Sequence, residues 1–505
     1  MTVSFESSVP QSFNLGVGKY DVFARKNDLM SIDQIGESKI SRSHHPTSSE
    51  VLVDLLPYLT ELPPECTLLF EERKYFTGSH EKSLHDELVN YKAGAPGQKS
   101  LFARFLSGDG ACFRLEGTVD FEPQGMDDTN AAIQRVGYDF IGGVAAIEGP
   151  PGTGKTYTLA RIIQAMRCRD LKVAATAPSH RVLKSMESEL GELGVETYRI
   201  CPKKKTTLKG GLKSGCGVVL GTTHQFCKPE ARSQFHMLCV DEAGQLPCAD
   251  VLASIPAATD GLLLAGDAKQ LPHIALCKHR GYADHSALAH AVASIPVGSS
   301  MMLTETRRMC PAIAAFISEN FYDGKLQCSR AVKLGQQVVT GSKRFSGSGI
   351  RTVCCEDTGS APTSSSNKRS RAQRDATIEV VDELLSDGVK KTSSAVGATP
   401  EQVRPKDILI VAPYNAQVSF IQAGLKEKGA GYHLVEVGTV NKLQGRESTI
   451  VIFSMTSTQD FAAEDWRVNV AMSRAKTLAI VVACKEGLEM LNDNFNLHTH
   501  AKGDA

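Results

Sequence analysis

The chain has one tryptophan, no pair of cysteines spaced C-x-x-C, and no excess of charge of either sign. Lysine plus arginine number 56, as do aspartate plus glutamate. No bulk positive field therefore announces a polyanionic partner, and any such partner must be held by local basic patches. The fourteen cysteines are scattered, and Cys354-Cys355 are merely adjacent. Without paired spacing, structural zinc is not expected. The start, MTVSFESSVPQSF, has no basic-then-apolar leader pattern. Reduced thiols are therefore expected, in an intracellular protein of cytoplasm or nucleus. No apolar run approaches the roughly 20 residues of a membrane helix. At 505 residues, with 42% hydrophobic and 22% charged, the chain reads as globular, with two or three domains.

Against these absences stands Gly149–Thr156, GPPGTGKT, which fits the phosphate-cradling pattern G-x-x-x-x-G-K-[ST]. Its glycines (Gly149, Gly152, Gly154) let backbone N–H groups turn toward polyphosphate oxygens, with Pro150, Pro151 and Thr153 between them. Lys155 would reach the β/γ-phosphates, and the Thr156 hydroxyl would hold Mg²⁺. Val144–Ile147 reads as a buried strand before the loop. Leu159, Ile162, Ile163 and Met166 mark a helix after it, whose N-terminal dipole favours anions. A nucleoside triphosphate, ATP, with Mg²⁺ is the expected ligand.

Residues 1–125 say least. Leu52, Leu55 and Leu56 fit a helix, Leu68–Tyr75 a strand. Leu101, Ala103 and Phe105 alternate before a Gly108-Asp109-Gly110 turn, with Cys112–Leu115 and Thr118–Phe121 following, as in a small antiparallel β unit. His44, His45, His80, His85, Cys66 and Cys112 match no common metal spacing and read as solvated or core residues. Asp54 with Glu72-Arg73-Lys74 reads as a charged loop. From 126 to 295 strands and helices alternate, with strands expected at Val144–Ile147, Val173–Ala177, Gly217–Leu220, Met237–Val240 and Leu262–Ala265. Later, Ile408–Ala412, Thr449–Phe453 and Thr477–Ala483 read as strands, and Val418, Ile421, Ala423 and Leu425 as part of a helix. The polar stretches Gly341–Arg374 and Lys391–Arg404 are expected to be exposed or disordered insertions, and 496–505 a tail.

Met237–Val240 runs into Asp241 and Glu242. One carboxylate can hold the Mg²⁺ shell while the next orients and deprotonates an attacking water. Next comes Gly266-Asp267-Ala268-Lys269-Gln270, in which Gln270 could sense the γ-phosphate or that water. Hydrolysis is a better reading than mere nucleotide binding.

GPPGTGKT, DEAGQ and GDAKQLP in this order resemble a superfamily 1 helicase of the branch containing the nonsense-mediated-decay RNA helicase and its DNA and RNA helicase relatives. LTETRRMCP at Leu303–Pro311, VAPYNAQ at Val411–Gln417, VGTVNKLQGRESTIVIFS at Val437–Ser454 and RVNVAMSRAK at Arg467–Lys476 extend the resemblance over about 129–485. It implies an α/β fold of two tandem RecA-like doubly wound parallel-sheet domains, 126–295 and 296–495, after a small β-rich accessory region. It also implies a nucleic-acid-dependent ATPase, moving 5′ to 3′ on single-stranded RNA or DNA. Arg308 and Arg474 match the family's arginine fingers and Glu447 its ribose contact. Gln134 loosely matches the adenine-reading glutamine. Pro178, Ser179, His180, Thr222, Thr223, Pro413, Tyr414 and Thr439 match residues lining the nucleic-acid path.

Three departures stand out. The base-stacking tyrosine of the family is Arg307 here, a planar cation that could still stack. The histidine of M-H-P is Cys310. The stretch between Pro178 and Thr222 is short, and its Lys203-Lys204-Lys205, Lys209 and Lys213 read equally as a solvated loop or a phosphate-contacting patch. The zinc-rich N-terminal modules of the decay helicase and the nidovirus enzymes have no counterpart in the cysteine spacing, and a monomer is expected. An ATP-gated nucleic-acid clamp, remodelling ribonucleoprotein without unwinding, shares every motif and remains the alternative.

Overall fold

The computed structural model describes residues 77–93, 100–113, 127–201, 205–272, 285–335, 337–356, 368–393, 399–429, 431–443, 445–456 and 460–504, together with strand backbone within the first 72 residues. That backbone includes a four-stranded antiparallel sheet whose longest members are Gly18–Lys26, Ile32–Ile40 and Cys66–Glu72.

Two parallel sheets dominate the rest. The first runs Thr197–Arg199, Val218–Leu220, Val173–Thr176, Phe235–Val240, Ala258–Gly266, Phe140–Glu148, Ser300–Met302. All five strands expected from its apolar runs are present, with ends shifted by a few residues. Alternate residues of one strand serve two different cores, as a period of two requires. Ala145 and Ile147 pack with Leu159, Ile163 and Met186, from the helices Lys155–Cys168 and His180–Glu192. Val144 and Ala146 pack on the other face with Phe105, Val251 and Leu288. Burial on both faces is what makes these strands read as unbroken apolar runs.

The second sheet runs Glu436–Thr439, Ile408–Ala412, Ser448–Ser454, Ala475–Ala483, Gly349–Cys354, Ala501–Asp504, again parallel. Leu409, Val451 and Val481 face one core; Ile410, Ile452 and Val482 face the other. The helix expected around Val418–Leu425 spans Asn415–Glu427. The doubly wound α/β reading thus holds for both halves. Ser300–Met302, past the boundary expected at 295, still pairs in the first sheet.

Several local expectations are corrected. Leu101, Ala103 and Phe105 lie on a helix, Leu101–Ser107, not a strand. Phe102 is buried too, so Leu101, Phe102 and Phe105 form the inward face of a helix whose Leu106 and Ser107 are exposed, capped by the Ser100 hydroxyl and ended by Gly108 at φ 72°. Leu52 and Leu55 lie on the short strands Glu50–Leu52 and Asp54–Leu55 rather than a helix. The stretch 341–374 is not a mere insertion: Gly349–Cys354 is an inner strand of the second sheet, and Ser370 caps the helix Arg371–Leu385. In the stretch 391–404, Lys390–Ser393 and Glu401–Gln402 join Gln337–Thr340 in an antiparallel sheet. Serine and basic residues on either side diluted these short apolar patterns. The expected tail carries Leu497–His500, with Leu497 buried, and the strand Ala501–Asp504.

Leu56, Thr118–Phe121, 357–367, 394–398, Lys203 and Lys204 lie outside the described residues, as do the side chains of His44, His45, Asp54 and Cys66. Lys209 lies 3.6 Å from Glu230. Among the described residues no cluster of His, Cys, Asp and Glu could hold a metal by itself, and no helix is long and apolar enough to cross a membrane.

Candidate active site

Phe140–Glu148 lies beside Ala258–Gly266, which lies beside Phe235–Val240. The phosphate loop, the 266–270 segment and the paired carboxylates therefore leave from one carboxyl edge, where open α/β sheets bind ligands. Gly149 N–H donates to the Gly266 carbonyl at 2.8 Å, tying loop to neighbouring strand. Gly152 and Gly154 take φ of 77° and 81°, and Gly154 caps the helix that begins at Lys155. The Lys155 ammonium donates to the Gly149 carbonyl at 2.7 Å. Thr153 turns its hydroxyl to the Pro150 carbonyl.

The Thr156 hydroxyl donates to Asp241 Oδ2 at 3.2 Å, across 85 positions of sequence. Asp241 is fully buried at the end of its strand. Burial, then the neighbouring charge of Glu242, holds its carboxyl above the usual carboxylate range. Glu242 adopts φ 52°, a left-handed conformation costly for a residue with a Cβ. Its N–H donates to Asp241 Oδ1 at 2.9 Å and its carboxylate accepts from Gln245 at 3.0 Å. A buried carboxylate beside a hydroxyl, with its acidity weakened, is a donor set that a hard divalent cation would satisfy.

The two halves meet here. Gln270 donates to Asp267 Oδ2 at 2.6 Å and accepts from the Arg474 guanidinium at 3.1 Å. Arg474 is 2% exposed and also donates to the carbonyls of Val470 and Arg446. Among the described residues no carboxylate pairs with it. Burial, then the nearby Arg308 charge, lowers its pKa to about 9. Arg308 lies against the loop, with its main chain and Thr306 packed on Gly152, and Arg307 N–H donates to the Gly152 carbonyl at 2.8 Å. The Arg308 guanidinium bonds Glu447 at 2.7 Å and the Ser473 carbonyl at 3.2 Å. Lys476 also reaches Glu447, at 2.6 Å, and these two cations hold the Glu447 carboxyl below its usual range. The Arg307 guanidinium lies 3.9 Å from Asp127.

Gln134 stands apart from this convergence. It sits on the π-type turn Ile133–Asp139, and its amide donates to the Asp139 carboxylate at 3.3 Å. Cys310 is buried, and its thiol meets the Thr477 carbonyl. The residues expected along a nucleic-acid path sit at the carboxyl ends of four strands: Pro178, Ser179 and His180, Thr222 and Thr223, and Pro413 and Tyr414 just past three of them, and Thr439 as the last residue of the fourth. Ser179 caps the helix His180–Glu192, and both residues are exposed. Thr223, Pro413, Tyr414 and Thr439 are buried, so their side chains shape the edge more than they present a surface.

Sequence reasoning missed Tyr322 and Asn469. Tyr322 donates its hydroxyl to Asp267 Oδ2 at 2.7 Å, and Asn469 donates to Tyr322 at 2.9 Å and to the Lys269 carbonyl at 3.0 Å. Both are buried. Tyr322 follows the helix Pro311–Phe321, between the quoted motifs, where nothing in the sequence marked it.

Comparison with known proteins adds to this geometry. Two family models, each described as an AAA domain, match residues 138–294 and 284–486. The chain is 25% identical over 431 residues to the DNA polymerase alpha-associated DNA helicase A of Schizosaccharomyces pombe, covering 70% of this chain and 63% of that protein. It is 23% identical to the Regulator of nonsense transcripts 1 homolog of Drosophila melanogaster, covering 67% of this chain and 33% of that one. It is 26% identical to the DNA replication ATP-dependent helicase/nuclease DNA2 of Gallus gallus, covering 71% and 36% respectively. The chain therefore spans less than two thirds of the length of each of these relatives. A crystal structure of Arterivirus nonstructural protein 10 (helicase) aligns over 73% of this chain and 64% of that one, at 15% identity and a TM-score of 0.41.

Proposed function

The chain belongs to the superfamily 1 helicases, in the branch that contains the nonsense-mediated-decay RNA helicase and its DNA and RNA helicase relatives, and on that premise we propose that it is an ATP-driven translocase on single-stranded nucleic acid. The observation that carries the reading is Arg474: a buried guanidinium from the second half, bonded only to neutral oxygens, beside Gln270 of the first. A buried charge is costly unless something compensates it, and a polyphosphate in the adjoining loop is the compensation this site offers.

In this reading the amides of Gly149–Thr156 wrap the β- and γ-phosphates, and Lys155 swings from the Gly149 carbonyl onto them. Thr156 and Asp241 would hold Mg²⁺, which when bound neutralises charge on the phosphate oxygens. Glu242, already held out of regular geometry, orients and deprotonates water, and Gln270 reports the γ-phosphate to Arg474. Arg308 leaves Glu447 for the transferred phosphoryl group, and Glu447 then turns to the ribose. Gln134 and Arg307 flank the base. Closing and opening of the two sheets, with alternating grip by the carboxyl-edge residues Pro178 to His180, Thr222, Thr223, Pro413, Tyr414 and Thr439, steps the strand, 5′ to 3′ by family likeness.

Steady-state ATP turnover of the chain, alone and with single-stranded RNA or DNA of matched sequence, tests this. Stimulation by a polymer is expected, with turnover in Glu242→Gln falling by about 10² or more. Turnover indifferent to both polymers, or undiminished in Glu242→Gln, would sink it. ATP turnover without strand displacement on a tailed duplex would favour a clamp over a helicase.

A further inference from the structure

A cavity of about 520 Å³ opens beside the Arg308 segment, within the range of roughly 300–1,000 Å³ usual for small-molecule sites. Its walls are the 305–310 segment, the helix Arg330–Leu334, Gln337 of the strand Gln337–Thr340, and Lys476 and Thr477 at the start of the strand Ala475–Ala483. These walls are tied to one another. Ser329 N–H donates to the Thr306 carbonyl at 2.9 Å, and the Ser329 hydroxyl caps the helix by accepting from Val332 N–H at 3.2 Å. Cys310 N–H donates to the Lys476 carbonyl at 2.8 Å, and its thiol to the Thr477 carbonyl at 3.3 Å. Neither Gln134, Glu447 nor any residue of Gly149–Thr156 lines the cavity, so it is separate from the nucleotide's main expected contacts. Arg307 and Cys310 do line it, and both stand where the chain departs from the family motifs. A thiol takes less room than the family's imidazole, and Arg307 brings a charge where the family has a neutral ring.

We propose that this cavity binds a small phosphate anion, inorganic phosphate or a phosphate monoester, and that its occupancy slows ATP turnover. Four cations line it, Arg307, Arg308, Arg330 and Lys476, against one carboxylate, Glu305. Glu447, outside the lining, takes both Arg308 and Lys476, at 2.7 and 2.6 Å. One carboxylate does not neutralise two cations, and the Lys476 ammonium has further donors. Arg307 is loosely held, 3.9 Å from Asp127. Arg330 is exposed, and among the described residues no carboxylate pairs with it. A concave site lined mainly by one sign of charge focuses its field on an anion, and guanidinium forks match phosphate oxygens in pairs. Cations from three chain segments suit a tetrahedral dianion better than a flat carboxylate. The slowing of turnover rests on the translocase reading, in which Arg308 reaches the transferred phosphoryl group. An anion in the cavity gives that guanidinium a competing partner, and the reaction loses an interaction made only in the transition state.

Calorimetric titration of the full, nucleotide-free chain at fixed ionic strength, with inorganic phosphate and separately with glycerol phosphate, tests the site. Arg330→Glu should weaken binding about tenfold or more, the scale of one charge-assisted hydrogen bond. Lys155→Ala should leave it unchanged. Tighter binding of the monoester would assign the cavity to an organic phosphate, and equal affinities to phosphate itself; both outcomes uphold the site. In steady-state assays phosphate should lower kcat for ATP with little change in KM. Arg330→Glu should turn over ATP as wild type does without phosphate and escape the inhibition. Binding lost in Lys155→Ala but intact in Arg330→Glu would put phosphate in the loop and overturn the cavity, as would no binding at all. Binding that responds to Arg330→Glu while kcat ignores phosphate would overturn the coupling through Arg308. If the chain turns over no ATP, the translocase reading fails, and the titration still decides whether the cavity takes phosphate.

Discussion

At the scale of single residues, the phosphate loop shows two glycines with the same backbone need and different neighbours. Both take positive φ, so a side chain at either position costs on the order of 1 kcal/mol in backbone strain. A Cβ on Gly154 would find nothing closer than the Tyr157 Cβ at 4.0 Å. A Cβ on Gly152 would sit 2.5 Å from both the Arg308 Cβ and the Thr306 hydroxyl, neither of them the free end of a long chain. Gly152→Ala therefore adds an overpacking cost of about 1–3 kcal/mol to the strain and displaces the Arg308 segment. Thermal melts of the two variants should place Gly152→Ala below Gly154→Ala. Equal melting would mean that the loop and the Arg308 segment are not in the contact described.

At the scale of elements, the strands were legible because each is buried on both faces and so prints an apolar run; Ile408–Ala412 and Val173–Thr176 needed nothing else. Leu101–Ser107 was misread because two turns are too short to print a 3.6-residue period, and its buried Leu101, Ala103 and Phe105 fall at alternate positions. Gly349–Cys354 was lost because one arginine and one threonine among six residues look polar once averaged with the serines around them. The ordered motifs predicted which loops meet, but not the bonds between them. Those come from side chains with no motif of their own, Tyr322 above all, which joins the end of the helix Pro311–Phe321 to Asp267 and to Asn469 on the helix Asp465–Met472. Deleting its hydroxyl leaves Asp267 with Gln270 as its remaining side-chain donor and Asn469 with the Lys269 carbonyl. Tyr322→Phe should cost about 1–3 kcal/mol, read as a lowered melting temperature. Since Asp267 also positions Gln270, ATP turnover should fall as well while the KM for ATP changes little. A variant with unchanged melting and unchanged turnover would show that the chain of bonds from Asp267 to Asn469 carries neither packing nor signal.

At the scale of the whole molecule, two sheets with separate cores are joined through polar contacts and by Leu271, which packs into the second half's core. Arg474 lies at that junction, and stability and activity make opposite demands on it. Its charge is buried and bonded to neutral oxygens, and burial together with the nearby Arg308 charge lowers its pKa to about 9, with Glu242 and Asp267 opposing that shift in part. A fold selected for stability alone would place a neutral group there, because taking a guanidinium charge out of water is costly and the carboxylates of Glu242 and Asp267 offset it only in part. Arg474→Gln removes the charge while keeping an amide that can still donate to Val470 or Gln270. The ligand-free variant should melt at or above the wild-type temperature, yet turnover should fall by about 10³ or more, the scale of an arginine finger. A non-hydrolysable ATP analogue with Mg²⁺ should stabilise wild type by about 2.7 kcal/mol at a hundredfold its Kd, and the variant less at the same concentration because its affinity is lower. A variant that melts well below wild type without ligand and still turns over ATP would show Arg474 to be a structural bond between the halves, and the charge would then have no catalytic purpose.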